Sequence, residues 1–344
     1  MSGQLRQNPL TGRWVAVAPG RADRPLHGSG RQREPRPPLA ADCPFCPGNE
    51  AELPIIVAER PAPDGSGWAI RVVNNRYPAF ELSDAGERPP GTGKTLALGS
   101  DVPLVLAEPM PAAGTQEVII ETPAHDRDLS DLSCEELSAV VDTYHDRFVA
   151  LSERPGSARV FLFRNRGADA GNSLLHAHAQ VIATTTIPPE ARVREIRMMG
   201  YHGDHGRCML CALPDLEPDF DARVVLQSEH FTAVVPWAAE SAFELWVIPR
   251  RHQAEFGECT AEERAALAGC LGDLLRRYHE RAGDPAYNLI LHSAPRGRTG
   301  SRAHHWFVQL RPRIHRIAGF ELASGVHINP SLPERDARVL RGEG

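Results

Sequence analysis

Asn172-Ser173-Leu174-Leu175-His176-Ala177-His178-Ala179-Gln180-Val181-Ile182 is the stretch from which the fold is read. In an extended chain, side chains two residues apart point to the same side. His176, His178 and Gln180 therefore face one way and Ala177 and Ala179 the other. The small alanines leave room for packing, and Val181, Ile182 and the threonine run after them favour a strand over a helix. The expectation is a strand through His176–Gln180 and on into Val181 and Ile182, with three polar side chains on one face. An isolated His-x-His string is more often a surface or hydrogen-bonded core pair than a site, so the surrounding chain decides.

That surrounding chain repeats itself. In the first half the order is Cys43-Pro-Phe-Cys46, a strand over 117–122 ending in Pro123-Ala124-His125, and a helix to about Ser152, then a strand over 158–165 and the stretch above. The helix is opened by a capping box, in which Ser133 accepts from a backbone amide and Glu136 reaches back. In the second half Cys208-Met-Leu-Cys211 is followed by a strand over 243–248 ending in Pro249-Arg250-Arg251-His252. Thr260 and Glu263 then open a helix to about Arg281, a strand spans 287–292, and His304-His305-Trp306-Phe307-Val308-Gln309 closes the series. His125 and His176 stand 51 residues apart, His252 and His305 stand 53 apart. Ordered features at matching spacing mark an internal duplication, and with strands and a helix in each copy they predict an α+β fold of two halves, 1–190 and 191–344. Outside the repeat, strands are expected over 14–18, 55–58 and 69–74. Residues 19–42 read as a Pro/Gly/Arg-rich irregular arm and 83–103 as a polar loop.

Each half supplies two cysteines and two histidines, the soft tetrahedral ligand set that zinc favours. Cys43, Cys46, His125 and His176 form the first candidate group, and Cys208, Cys211, His252 and His305 the second, with His304 competing for the last place. Neither set leaves a position open, so both read as structural. Of the seven cysteines, the remaining Cys134, Cys259 and Cys270 lie in helix-like segments and read as unreactive fillers. An odd count with paired CxxC spacing argues against a disulfide framework.

Composition narrows the function. A hydrophobic fraction of 42% and a charged fraction of 24% are those of an ordinary soluble protein. The net charge of -6 argues against a sequence-independent nucleic-acid binder. No apolar run long enough to cross a bilayer and no signal-like N-terminus are present, which predicts a cytoplasmic protein without a membrane partner.

Aligning the two halves on His176 and His305 sets His178 against Phe307 and Gln180 against Gln309. Only the first half keeps a histidine two residues beyond the candidate ligand, at the position where the second half has Phe307. A neutral imidazole is a competent nucleophile whose phosphoramidate passes a phosphoryl or nucleotidyl group onward. Such chemistry needs a fixed tautomer and neutralised phosphate charge. Gln180 and donors from Gly167, Gly171, Asn172 and Ser173 are placed to help, and arginines of the N-terminal arm to add charge.

These residues also carry a resemblance. Asn8-Pro-Leu-Thr-Gly-Arg13-Trp14 with its following arm, Cys43-Pro-Phe-Cys46-Pro-Gly-Asn-Glu50, residues 114–133 and residues 163–183 resemble the galactose-1-phosphate uridylyltransferase family of the histidine-triad superfamily, over nearly the whole chain. Where that family usually carries proline, Leu175 and Ala177 stand here. The resemblance implies duplicated histidine-triad-like halves with antiparallel sheets flanked by helices, and a homodimer. By position it makes His178 the nucleotidylated nucleophile and Gln180 a contact to the phosphate of the intermediate. Ser173, Asn165 and neighbouring Asn172 become nucleotide-phosphate contacts, and Arg21 and Arg24 substrate-site arginines. Glu321 becomes a sugar contact given across the dimer interface, and the first Cys/His group a zinc site. One departure stands out: the His-x-His of the uridylyltransferases' second metal site is replaced by Gln309 and Arg311. Cys208, Cys211, His252 and His305 instead resemble the branch that binds a second zinc and takes ADP-glucose.

The expected activity is transfer of a nucleoside monophosphate between a nucleotide sugar and a hexose 1-phosphate, with UDP-glucose as donor. ADP-glucose with phosphate as acceptor is the alternative, and a non-catalytic zinc-stabilised module the third reading. Pro89-Pro-Gly-Thr-Gly-Lys94-Thr95 looks like a phosphate loop, but Arg88 stands where its first glycine belongs and no apolar strand precedes it.

Overall fold

The computed structural model describes residues 3–21, 35–81, 95–96, 104–105 and 111–343. Fifteen strands appear among them. They are β1 (Gln4–Gln7), β2 (Trp14–Val17), β3 (Ile56–Pro61), β4 (Trp68–Asn74), β5 (Thr95–Leu96), β6 (Leu104–Val105), β7 (Gly114–Ile120) and β8 (Arg159–Arg166), then β9 (His178–Thr184), β10 (Val224–Gln227), β11 (Phe231–Val234), β12 (Leu245–Pro249), β13 (Tyr287–His292), β14 (Phe307–Pro312) and β15 (His327–Asn329). The helices are α1 (Cys134–Ser152), α2 (Pro189–His205), α3 (Met209–Leu216), α4 (Ala261–Arg281), α5 (Gly319–Ser324) and α6 (Pro333–Arg341).

Ten strands make one antiparallel sheet in the order β10-β11-β12-β14-β13-β8-β9-β7-β4-β3. From either edge inward the chain order is the same, and the duplicated units meet at β8 and β13, where Asn165 pairs with Asn288 and Leu162 with Leu291. The sheet is thus continuous across the duplication.

Both long helices begin as their capping boxes require. Ser133 accepts from the Glu136 amide at 3.2 Å and Glu136 accepts from the Ser133 amide at 2.7 Å. Thr260 and Glu263 repeat this at 3.2 and 2.8 Å, and each cap stabilises its helix by about 1 kcal/mol. Leu137, Val140, Tyr144 and Phe148 of α1, and Leu267, Leu271, Leu274 and Tyr278 of α4, recur at helical spacing and pack with Leu162, Val181, Leu289 and Leu310 of the sheet into one core. A Cβ on Gly272 would lie 2.8 Å from the Leu137 side chain, so the approach of α4 to α1 depends on that glycine. A small second sheet, β1-β2-β15, ties the chain's two ends together, with β15 parallel to β2.

One expectation changes. The strand read from His176 starts only at His178, and the second-half strand at Phe307, so His176 and His305 both stand just ahead of their strands. At His176 the backbone bends and the histidine turns toward its cysteines, which a straight alternation does not allow. Helices α2 and α3 and strands β10 and β11 fill residues 189–234, where the periodicity gave no reading. Arg24, the phosphate-loop-like Lys94 and most of the loop over 83–103 lie outside the described residues. Among those described, no helix is long and apolar enough to cross a membrane.

Candidate functional site

Four side chains converge where the Cys43–Cys46 loop meets the ends of β7 and β9. The ligand-type atoms of Cys43, Cys46, His125 and His176 lie within 4.8 Å of one another, and all four residues are buried. His176 Nδ1 is 3.6 Å from both Cys43 Sγ and Cys46 Sγ, and His125 Nδ1 is 3.5 Å from Cys46 Sγ. In a tetrahedron with metal–sulfur and metal–nitrogen distances of about 2.3 and 2.0 Å, such an edge is about 3.6 Å. The donor set therefore fits a tetrahedral ion. The Nε2 of His176 is 2.7 Å from the Thr122 carbonyl, so its proton sits there and Nδ1 faces the sulfurs unprotonated. Burial pushes the Cys43 thiol up to about 11.

The second half repeats the arrangement with Cys208, Cys211, His252 and His305. Cys211 Sγ is 3.5 Å from His252 Nδ1 and 3.4 Å from His305 Nδ1, and Cys208 Sγ is 3.7 Å from His305 Nδ1. His252 Nε2 donates to the Ser301 carbonyl at 2.9 Å. His304 is the residue left out: its Nδ1 pairs with the Ser301 hydroxyl at 2.8 Å. Cys211 is exposed, unlike any member of the first group.

His178 begins β9 and is 7% exposed. Its Nδ1 donates to the carbonyl of His176 at 2.8 Å, which leaves Nε2 with its lone pair. Burial, aided by the nearby Arg164 charge, lowers its pKa against the opposing pull of that hydrogen bond, so the ring is neutral at physiological pH. Phe45, inside the CxxC loop, stands edge-on to both histidines, with centroids 5.3 Å from His178 and 6.0 Å from His176.

Gln180 shares the His178 face. Its Oε1 accepts from Gln116 Nε2 at 2.8 Å and from Asn75 Nδ2 at 3.5 Å. The register of β8 and β9, with Phe163 opposite Gln180 and Arg164 opposite Ala179, carries Asn165 to the position opposite His178. Asn165 Oδ1 in turn accepts from Asn288 Nδ2 at 2.8 Å. Asn172 folds back on its own loop, accepting from the Leu174 amide at 3.3 Å, while Ser173 is exposed in the bend before His176. Arg21 ends a short 3-10 helix at the surface. Glu321 accepts from the backbone amides of Ala318 and Ile328 at 2.8 and 3.2 Å, and lines a separate cavity with Arg311, Arg313, His315 and His327.

Arg36, Arg164, Glu121, Asp128 and Tyr144 carry no sequence signal of their own. Arg36 donates to the carbonyls of Leu175 and Asp126, stitching the histidine bend to the His125 segment. Buried Arg164 pairs with Glu121 at 2.8 Å and with Asp128, and Tyr144 donates to Glu121. Gly167, at φ +83°, opens the loop bearing Asn172 and Ser173; a Cβ there would lie 2.8 Å from that of Ala286. These contacts join residues far apart in sequence, beyond the reach of spacing.

Residues 1–188 match the profile of the galactose-1-phosphate uridyl transferase N-terminal domain, and residues 194–322 that of its C-terminal domain. The chain is 32% identical to the ADP-glucose phosphorylase of Arabidopsis thaliana, over 99% of this chain and 93% of that protein. It is 28% identical to the galactose-1-phosphate uridylyltransferase of Thermotoga maritima, over 98% of each. The crystal structure of the Arabidopsis phosphorylase with bound ADP-glucose superposes with a TM-score of 0.81 at 31% identity, covering 99% of this chain and 98% of that one.

Proposed function

The chain belongs to the galactose-1-phosphate uridylyltransferase family, and from that premise we propose a nucleotidylyltransferase that works through a covalent nucleotidyl-His178. His178 Nε2 attacks the α-phosphorus of a nucleotide sugar and an N–P bond forms. The bond from that phosphorus to the bridging oxygen breaks, and hexose 1-phosphate departs with the electron pair. A phosphate oxygen of the acceptor then attacks the same phosphorus and the N–P bond returns its electrons to the ring. The observation that carries the reading is the Nδ1 hydrogen bond to the His176 carbonyl, which leaves Nε2 as the neutral nucleophile.

Gln180 and Asn165 stabilise the phosphoryl oxygens, Ser173 and Asn172 contact the nucleotide phosphates, and Arg21 and Arg24 neutralise charge. Glu321 contacts the sugar across a homodimer interface. Cys43, Cys46, His125 and His176 would hold one zinc ion and Cys208, Cys211, His252 and His305 a second, both supplying rigidity and no chemistry. Units 1–190 and 191–344 divide the labour: the first reacts, the second supports it in a protein of the cytoplasm.

UDP-glucose with a hexose 1-phosphate is the leading substrate pair. The second Cys/His group and the 32% identity to ADP-glucose phosphorylase favour a second reading, ADP-glucose with phosphate as acceptor. Incubating the pure protein with either nucleotide sugar and weighing the intact chain decides between them. A uridylyl or adenylyl adduct that is absent from His178→Ala is expected; no adduct with either donor, or one that persists in the variant, would sink the mechanism.

A further inference from the structure

Gln180 recurs in the second half as Gln309, yet the two carboxamides are wired differently. Gln309 is spent on both sides: its Oε1 accepts from His292 at 2.8 Å and its Nε2 donates to the buried Glu244 at 2.8 Å. Gln180 is held on its oxygen alone, and its Nε2 donates to no partner among the described residues.

The orientation of Gln180 follows from groups that have only one role. The backbone N–H of Ala79 can only donate, and it meets Gln116 Oε1 at 2.9 Å. Gln116 must therefore turn its NH2 toward Gln180, whose near atom must be oxygen. Asn75 delivers the same instruction, because its Oδ1 is taken by the Tyr77 N–H at 2.8 Å. Gln116, 9% exposed, sits diagonally across β7 from Gln180 on the same sheet face.

Asn165 is set in the same way from the other half of the chain. Arg313 Nε can only donate, and it meets Asn288 Oδ1 at 2.5 Å. The carbonyl of Ala170 can only accept, and it takes a proton from Asn288 Nδ2 at 2.9 Å. The NH2 of Asn288, 6% exposed, therefore faces Asn165 Oδ1, leaving the Asn165 NH2 outward and without a partner among the described residues.

We propose that Gln116 and Asn288 are positioning residues which lock Gln180 and Asn165 as hydrogen-bond donors only, so that the face beside His178 selects an acceptor-only phosphoryl group. This rests on the nucleotidyl-transfer reading of that face. A freely turning carboxamide offers its oxygen to an anion as readily as its NH2; the two relays remove the repelling orientation before the ligand arrives. The second half is the counterexample within the chain, since Gln309 has no donor left to offer.

The test is calorimetric binding of UMP and AMP, with uridine and adenosine as phosphate-free probes, to the full-length protein. Gln116→Glu and Asn288→Asp keep size while replacing the donor by an acceptor. Each is expected to weaken the better monophosphate by at least about tenfold and to leave the corresponding nucleoside within about twofold. In a Gln180→Ala background Gln116→Glu should add less than about twofold. Gln116→Met, which carries no charge, repeats the cycle should the glutamate variant fail to fold. Equal losses for nucleotide and nucleoside, a loss that persists without the Gln180 carboxamide, or no monophosphate binding by the unaltered protein would overturn the relay. A missing covalent adduct alongside an intact binding cycle would overturn the transfer mechanism alone.

Discussion

His178 Nδ1 stands 2.8 Å from the backbone carbonyl of His176. The residue that completes the first Cys/His group therefore also decides which nitrogen of its neighbour carries the proton. On the proposed mechanism, metal binding and reaction would be coupled through these two neighbours, and their roles separate by substitution.

His178→Ala should abolish turnover, by at least about a thousandfold, while keeping the metal content of the unaltered chain. His176→Ala should lose about half of the metal as well as the activity, because it removes a ligand and disturbs the bend. Metal analysis beside a turnover assay checks this; full metal content in His176→Ala would remove it from the ligand set.

Chelation should proceed in two stages. The first group is wholly buried, whereas Cys211 of the second is exposed. A chromogenic chelator should take the second-half ion first and the first-half ion only with unfolding, which costs several kcal/mol of stability. Cys211→Ser should abolish the fast stage and leave the slow one unchanged.

Arg164→Met should cost about 3–5 kcal/mol, since it leaves the buried Glu121 carboxylate with no cation, held by the Tyr144 hydroxyl alone, and Asp128 with Arg166 as its one remaining cation. Urea unfolding at neutral pH measures this. A loss below about 1 kcal/mol would mean that water reaches the cluster.

Asp336 gives a pH signature. Burial pushes its carboxyl up to about 7, against the pull of hydrogen bonds from the Phe243 amide and the Ser331 hydroxyl. The unfolded chain releases that proton near pH 4. The native state holds it longer, so this group's contribution is complete below about pH 4 and declines as the pH rises through about 7. Asp336→Asn should make the fall in stability between about pH 5 and pH 7 shallower. An unchanged slope in urea midpoints across that range would place the carboxylate in its ordinary range.

Much of this molecule could be read from its sequence, because its strongest signals are local or repeated. Ser133 with Glu136 and Thr260 with Glu263 announce their helices within four residues. The ligand groups emerge because Cys43, Cys46, His125 and His176 recur in order as Cys208, Cys211, His252 and His305. The strand boundary at His178 is not legible in the sequence, because alternation describes a straight chain, whereas the bend that aims His176 at its cysteines is held by tertiary contacts from Thr122 and Arg36. The roles of Gln116 and Asn288 are not legible in the sequence for a different reason: a glutamine in a strand has no periodicity of its own, and Asn288 meets Asn165 across 123 residues of chain.

The β8–β13 seam has a further consequence. Either half alone would leave one of these strands as a bare edge, open to any passing strand. The simplest cover for such an edge is another copy of the same unit, at a cost that rises with dilution. Joining the copies in one chain replaces that intermolecular encounter by a fixed local concentration. It also frees the copies from having to be identical: one can keep an uncommitted amide at Gln180 while the other buries its counterpart against Glu244.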